Sequence, residues 1–557
     1  MRKVTPRASL HEVSPCANFM LSTKDIKVKF LGITPVLEDE TGVLDPQTLV
    51  ALSGLLTYSG KPIGAILKEI QDKGQSVEKK ITAILRKSSL KGHASMATTP
   101  VFSFSYEASK FIDSGLTGMV FASAIMASGR RTDTTPEDIV FPEAISQASE
   151  AAAVYRTVSE RNIEVFNHLL AGGVGKDEAS KILQYGIYGT GIIQFPVESL
   201  VSLKRQYEAE KEWMPEDIGF LIAAVEKELK RLGVDLLYAT RLAAPRNNYP
   251  YPNIFKDPEQ TNLPREMGQA NKASENFKII SSDFVITAGL EKRLRELEAA
   301  IKEAANDRQN LKDKWMRLLQ MRQQIAGDYM QAANVKIFSS AAWRVWGDKK
   351  RHRTVPMAVD SVYYCVRRAL AVLLGYKKQI QEKSLPHAAI DAIDNVFSVP
   401  PGICNDNEFL YQYLGSALDS LEGYAKLLEL GIKERDAIFA VPRGLKLDMV
   451  QDYNFYNLIA GYYPLRICST AEEELRRLSI KEVTAIKNLL QQKGLDWLAW
   501  HIQPKCHCAG FCLEENCCGM IKSLVKDYND EFHKEIHKDL ENKFRVILNS
   551  VDQNDQE

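Results

Sequence analysis

Val101-Phe-Ser-Phe-Ser-Tyr106 alternates apolar and polar side chains, and the alternation predicts a β-strand with Phe102, Phe104 and Tyr106 on one face. Behind it, Ala108 to Ser128 is largely apolar and runs into Gly129-Arg130-Arg131, which reads as a helix with a glycine stop. The same order recurs downstream. Val335-Lys-Ile-Phe338 is a weaker alternation, and Ala341 to Trp346 leads into Lys349-Lys350-Arg351-His352-Arg353. Farther on, Leu169-Leu170-Ala-Gly-Gly-Val-Gly-Lys-Asp-Glu-Ala-Ser-Lys-Ile-Leu183 resembles Leu427-Leu428-Glu-Leu-Gly-Ile-Lys-Glu-Arg-Asp-Ala-Ile-Phe439. Each is a glycine-bearing turn, a charged helix start and an apolar helix body. Strand and helix in this order, twice, fit a long-period internal repeat, although a glycine turn before a helix is common enough to recur by coincidence.

Pro245, Pro250, Pro252, Pro258 and Pro264 stand among many Asn between Ala244 and Lys278. Proline at this density blocks helix and central strand, so the stretch reads as a linker or extended surface strap. Leu290 to Ala326 lacks proline and reads as one long helix with a solvated face. The expected division is 1–243, a linker 244–280, 281–495 and a Cys-rich segment 496–557. At 557 residues the chain exceeds one small core, and its 45% apolar and 25% charged composition is that of a globular protein. With 71 basic and 71 acidic residues it lacks the footprint of a nucleic-acid binder. Its longest apolar runs, such as Ala369 to Leu374, are too short for a bilayer, and no apolar stretch follows Met1-Arg2-Lys3 as a signal peptide requires. Nine cysteines, five of them between Cys506 and Cys518, do not look like a disulfide scaffold, so a reducing, cytoplasmic setting is expected.

Arg351-His352-Arg353, seven residues, then Ser361 suits an anion clamp, since guanidinium forks match phosphate oxygens, although a basic surface turn has the same composition. Val441-Pro442, Tyr453-Asn454-Phe455-Tyr456-Asn457-Leu458 and Leu465-Arg466 with Ala471 and Glu474 follow. Together these resemble the flavin-dependent thymidylate synthase family. Its signature is Arg-His-Arg, two residues, Ser, four residues, Ser, one residue, Arg, and then Leu-Pro, Val-Asn-x-Arg-Ser-Leu and Leu-Arg-x4-Ala. Here Pro356 and Tyr363 replace the first Ser and the last Arg of the signature, and Ile438 and Tyr456 fall at family arginines. The first half is similar to the same family through Gly92-His93-Ala-Ser and Phe102-Ser-Phe104. Continued without a gap, that alignment puts Gly118-Met119-Val120 under Arg-His-Arg, and Ser123, Ser128 and Arg130 under the rest.

The losses are complementary. The resemblance therefore implies an α+β fold of two tandem thymidylate-synthase-complementing-type domains forming a pseudo-dimer, with the chain as a homodimer equivalent to a tetramer. It implies reductive methylation of dUMP to dTMP with FAD, methylene-tetrahydrofolate and NADPH. Arg466 is the catalytic candidate, though spacing alone would equally give it a helix-surface salt bridge with Glu473 or Glu474. Ser128, Arg130 and Ser361 are implied to bind substrate. Arg351, His352, Arg353, His93, Ser123 and Asn454 are implied to bind cofactor. For His93 a capped turn is the plainer reading, and for Arg130 a solvated helix end. The alternative function is a catalytically degenerate flavin- or nucleotide-binding relative with a structural or interaction role. Cys506, Cys508, Cys512, Cys517 and Cys518 offer soft ligands for zinc or an iron–sulfur cluster, against a metal-free Cys-rich tail.

Overall fold

The computed structural model describes residues 21–39, 42–119, 121–127, 133–245, 247–248, 250–270 and 276–554. Two four-stranded antiparallel sheets organise it. The first contains β1 (Lys27–Thr34), β2 (Val101–Ser109), β3 (Ser123–Met126) and β4 (Tyr188–Pro196), in the order β1-β2-β4-β3. The second contains β5 (Phe277–Phe284), β6 (Ala333–Ala342), β7 (Met357–Val359) and β8 (Lys446–Asn454), in the order β5-β6-β8-β7. Strand order and direction are the same in both.

Phe102, Phe104 and Tyr106 are buried together, as the period of two predicts. Phe195 of β4 meets Phe102 and Phe104 edge-on at 4.8 and 5.4 Å. The apolar stretch beyond β2 is not one helix. It forms α1 (Phe111–Leu116), turns at Gly118 with φ 103°, and returns as β3, with Ser123 opposite Gln194. The glycine ends the helix because a left-handed backbone costs it nothing.

The long helices α2 (Ser149–Ala171) and, after α3 (Trp343–Lys349), α4 (Asn407–Glu429) occupy corresponding places before the last strand of each sheet, and they pack on each other. Asn162 Oδ1 of α2 accepts hydrogen bonds from Ser416 and Ser420 of α4 at 2.8 and 3.0 Å. The end of the first glycine-turn segment also meets the chain just past the second. Arg443 N donates to the Leu183 carbonyl at 2.9 Å and Gly444 N to that of Lys181 at 2.7 Å. Buried Lys181 pairs with Glu472 and Glu474 of the other half at 3.2 and 2.9 Å. Phe111 stacks on Phe439 at 4.0 Å, with Trp343 edge-on to Phe111 at 5.6 Å. One hydrophobic core therefore runs through both halves.

Two expectations for the middle of the chain differ from what is found. The Pro/Asn-rich stretch buries Ile254 and Phe255, then forms a helix, Leu263–Ala270. Pro264 is tolerated because it lies in the first turn, where its missing N–H has no intrahelical partner to lose. Arg265 anchors the strap through Asp360 at 2.8 Å. Residues 290–326 form not one helix but two, Ala288–Ala305 and Arg308–Asp328. Asp307 breaks them by capping the second, its side chain accepting from the Gln309 and Asn310 amides. Leu290, Leu294, Leu297 and Ile301 form a stripe at helical spacing in a second core, shared with Phe511, Ile521, Phe532 and Ile536 of the C-terminal segment. Among the described residues no single helix is long and apolar enough to cross a membrane.

Candidate active site

The Arg-His-Arg segment follows α3, itself the continuation of β6. Its partner segment follows β8, where a short π-helical turn, Asn457–Gly461, leads to α5 (Tyr463–Arg466) and then α6 (Glu473–Gln492). Asn454, the last residue of β8, ties the two together. Its Oδ1 accepts from Asn457 N at 3.1 Å and Asn457 Nδ2 at 2.8 Å. Asn457 in turn accepts from Thr354 Oγ1 and donates to the Thr354 carbonyl, each at 2.9 Å, next to Arg353.

Arg466 Nε donates to His352 Nε2 at 2.8 Å, and its Nη2 reaches the same nitrogen and, at 3.5 Å, the Asp348 carbonyl. The surface salt bridge that spacing alone allowed is not formed: Glu473 pairs with Arg477, and Glu474 with Lys181. His352 packs edge-on against Tyr462 at 4.8 Å. Burial first, and the Arg466 cation second, push its pKa down to about 4. His352 is thus a neutral imidazole whose Nε2 accepts from the guanidinium. Asp348 supports the cationic side of the site, 3.5 Å from Arg344 and 3.9 Å from Arg351.

Two cavities flank Lys350. The larger, about 730 Å³, is lined by His352, Arg353 and Val355 to Val359 of the second half, by Pro250 to Asn253 of the strap, and by Gly118, Phe121 and Gln206 of the first half. Burial lowers the pKa of Arg353 with no carboxylate opposing it. This cavity fits a flavin dinucleotide in size and in offering an uncompensated guanidinium to a diphosphate. The smaller, about 190 Å³, lies between Lys110, Asp113 and Met126 of the first half and Arg344, Asp348, Arg351 and Arg443 of the second.

The remaining sequence candidates are placed as follows. Arg351 lines the smaller cavity, apart from His352 and Arg353. Ser361 lines neither: it is buried, and its hydroxyl donates to the Lys256 carbonyl at 2.7 Å. Tyr363, at a family arginine, is also buried and donates to the Trp213 carbonyl. His93 lies in another cavity with Ser53, Lys87 and Ser95, just after Gly92 at φ 105°, the capped turn that its sequence context suggests. Ser123 is exposed at the start of β3. Ser128 and Arg130 lie outside the described residues. The metal expectation is corrected: among the described residues no three His, Cys, Asp or Glu side chains are placed to hold an ion. Cys508 Sγ faces the Ile459 and Gln503 carbonyls at 3.9 Å, and Cys512 Sγ that of Glu514 at 3.9 Å. Sequence reading missed Asp348, Lys110, Lys350 and Arg443. Lys350 stood in the basic run, whereas Lys110 and Arg443 belong to no motif and meet only because the halves pack together.

A family model described as "Thymidylate synthase complementing protein" matches residues 37–212 and 333–490. The flavin-dependent thymidylate synthase of Pyrococcus horikoshii is 30% identical over 123 residues, 22% of this chain and 49% of that protein. That of Saccharolobus solfataricus is 29% identical over 116 residues, 20% and 42% respectively. The chain spans about half the length of the curated relatives it matches. Among solved structures, a UMP/dUMP methylase from Streptomyces cacaoi with 5-Br dUMP aligns at 13% identity and TM-score 0.30, over 42% of this chain and all of that one. The Helicobacter pylori flavin-dependent thymidylate synthase with FAD and dUMP aligns at 15% identity and TM-score 0.27, over 41% of this chain and all of that one.

Proposed function

The chain belongs to the thymidylate synthase complementing protein family, and from that premise we propose that it methylates dUMP to dTMP in a site shared by its two halves. FAD is the bound cofactor, methylene-tetrahydrofolate the carbon donor and NADPH the reductant. The observation that carries the reading is the Arg466–His352 pair: the arginine stands at the family's catalytic position, the imidazole lines the larger cavity, and the guanidinium reaches the carbonyl of Asp348 in the wall of the smaller.

Bound flavin supplies the redox chemistry, and the protein's own groups bind, orient and stabilise charge. Uracil C5 becomes nucleophilic when the ring carries excess electron density, part of which is drawn toward O2 and N3 and accumulates on that edge as negative charge. Arg466 stabilises that charge, and it does so without reorganising because His352 and the Asp348 carbonyl already hold the guanidinium. Tyr462 packs edge-on against the imidazole and fixes its orientation. Arg353 and His352 face the flavin cavity, Arg351 the nucleotide cavity. Ser128 and Arg130 grip the nucleotide phosphate from the first half.

We read the chain as a fused duplicate with domains at 1–243 and 281–495, the strap at 244–280 and the tail at 496–557, acting as a homodimer. The matching strand orders and the two-segment family match support that reading. It is tested by incubating the purified protein with dUMP, methylene-tetrahydrofolate and NADPH and measuring dTMP. Yellow protein with dUMP-dependent dTMP formation is expected. A protein that binds flavin but never forms dTMP would be the degenerate relative instead.

A further inference from the structure

We propose that the smaller cavity between the halves is a phosphomonoester site, built by Lys110, Arg344, Lys350 and Arg443, that takes the 5′-phosphate of the substrate nucleotide. The proposal rests on the nucleotide reading above and adds residues that none of the sequence motifs contains.

At about 190 Å³ the cavity suits a tetrahedral anion and is far too small for a dinucleotide. Five basic side chains line it (Lys110, Arg344, Lys350, Arg351 and Arg443) against two carboxylates, Asp113 and Asp348. Those carboxylates are already engaged: Asp348 lies between Arg344 and Arg351, and Asp113 accepts from Tyr106. Arg443 is 2% exposed. Its Nε donates to the Gln184 carbonyl at 3.0 Å, but its Nη2 and the Nε of Arg344 are buried with no hydrogen-bond partner among the described residues. A buried guanidinium lacking part of its hydrogen bonding and any carboxylate is costly unless something fills the gap. Burial, with no adequate counter-charge, lowers Arg443 to about 10 and Lys110 to about 8, the pattern of cations awaiting an anion.

Both halves are needed. Lys110 Nζ donates to the Ala127 carbonyl at 2.9 Å, which fixes the first-half ammonium in the cavity wall. Lys350 crosses from the second half to donate to the Ser114 carbonyl at 2.7 Å. On the far side Asp348 joins Arg351 to Arg466. A phosphate held among Lys110, Arg344 and Arg443 is thereby linked through Asp348 to Arg466, to which the ring chemistry is assigned.

The test uses the full-length protein with inorganic phosphate, dUMP and deoxyuridine as probes, and the variants Arg443→Met and Lys110→Met. Phosphate is expected to raise the melting temperature of the wild type and to leave that of Arg443→Met unmoved. Without anion, Arg443→Met is expected to melt no lower than the wild type, because an uncompensated buried charge has been removed. Both variants should bind dUMP roughly 10–100-fold more weakly, with deoxyuridine affinity unchanged. If Arg443→Met fails to fold, Lys110→Met carries the same comparison. An anion-free loss of stability with the phosphate response retained would make these residues structural and overturn the site. Unchanged dUMP affinity in variants that still methylate would sink the site and spare the enzyme. Phosphate-dependent dUMP binding lost in the variants, in a protein that never methylates, would do the reverse.

Discussion

The two sheets are built alike, yet the loops that follow their second strands differ. After β6 the second half places Arg351-His352-Arg353, and at the corresponding point after β2 the first half has Gly118-Met119-Val120. Met119 is buried, and a Cβ on Gly118 would lie 3.6 Å from Lys350 Cδ of the other half. The first-half loop is a wall against which a second-half lysine packs. The segments after the last strands also differ. Beyond β8, Arg466 meets His352. Beyond β4, Glu198 is taken up by Arg241 at 3.0 Å in a buried ion pair. On the proposed reading of the chain as a fused duplicate, one copy of each ligand-binding segment suffices, and the corresponding segment of the other half serves as packing.

The shared core gives the largest expected effect. Phe439→Ala removes the ring stacked on Phe111 and should cost about 3–5 kcal/mol. Calorimetry should show both halves melting in one transition at a lower temperature. Two separated transitions would show that the halves are independent. Next comes Arg466→Ala, expected to cut turnover by roughly 100-fold or more while flavin stays bound, measured as kcat beside the flavin absorbance. Arg353→Ala should weaken flavin binding by roughly 10–100-fold and leave dUMP binding alone, whereas Arg351→Ala should do the opposite. Equal effects of both variants on both ligands would merge the two cavities into one site.

The smallest effect concerns pH. His352, faced by Arg466, Asp348 and Lys349, titrates near 4 in the folded chain against 6.5 in the unfolded one. Between those values the unfolded state binds more protons. Stability is therefore full above pH 6.5 and is lost as pH falls towards 4. Thermal melts of the wild type and His352→Asn over that range should show a shallower acid decline in the variant. Parallel declines would place the acid sensitivity elsewhere.

How much of this could be read from the chain depended on the range of the interactions. The strand at Val101 to Tyr106 was legible because period-two burial leaves a local mark. The helix expected beyond it was not formed, since apolar composition alone does not distinguish a buried helix from a short turn and a returning strand. Arg466 and His352 are 114 residues apart in sequence, so only the family resemblance brought them together. Asp348 directly precedes the basic run Lys349-Lys350-Arg351, and nothing in its local sequence marks it as the residue that links Arg351 to Arg466. Lys110 and Arg443 were invisible because their meaning arises from the packing of one half on the other. The cysteines misled for the opposite reason: their spacing was conspicuous, but the backbone turns Cys508 and Cys512 towards carbonyls.

Complementation between two disabled full-length chains tests the shared site most directly. One chain carries Lys110→Met and Arg130→Ala in the first half, the other Arg466→Ala in the second, and the two are co-expressed, purified as mixed assemblies and assayed for dTMP at limiting dUMP. A site made by both halves of one chain is defective in every copy, so activity should stay at the level of the separate variants. Recovery of a quarter or so of wild-type activity, as expected when two chains exchange intact segments in a dimer, would show that the site forms between chains and contradict the intramolecular arrangement.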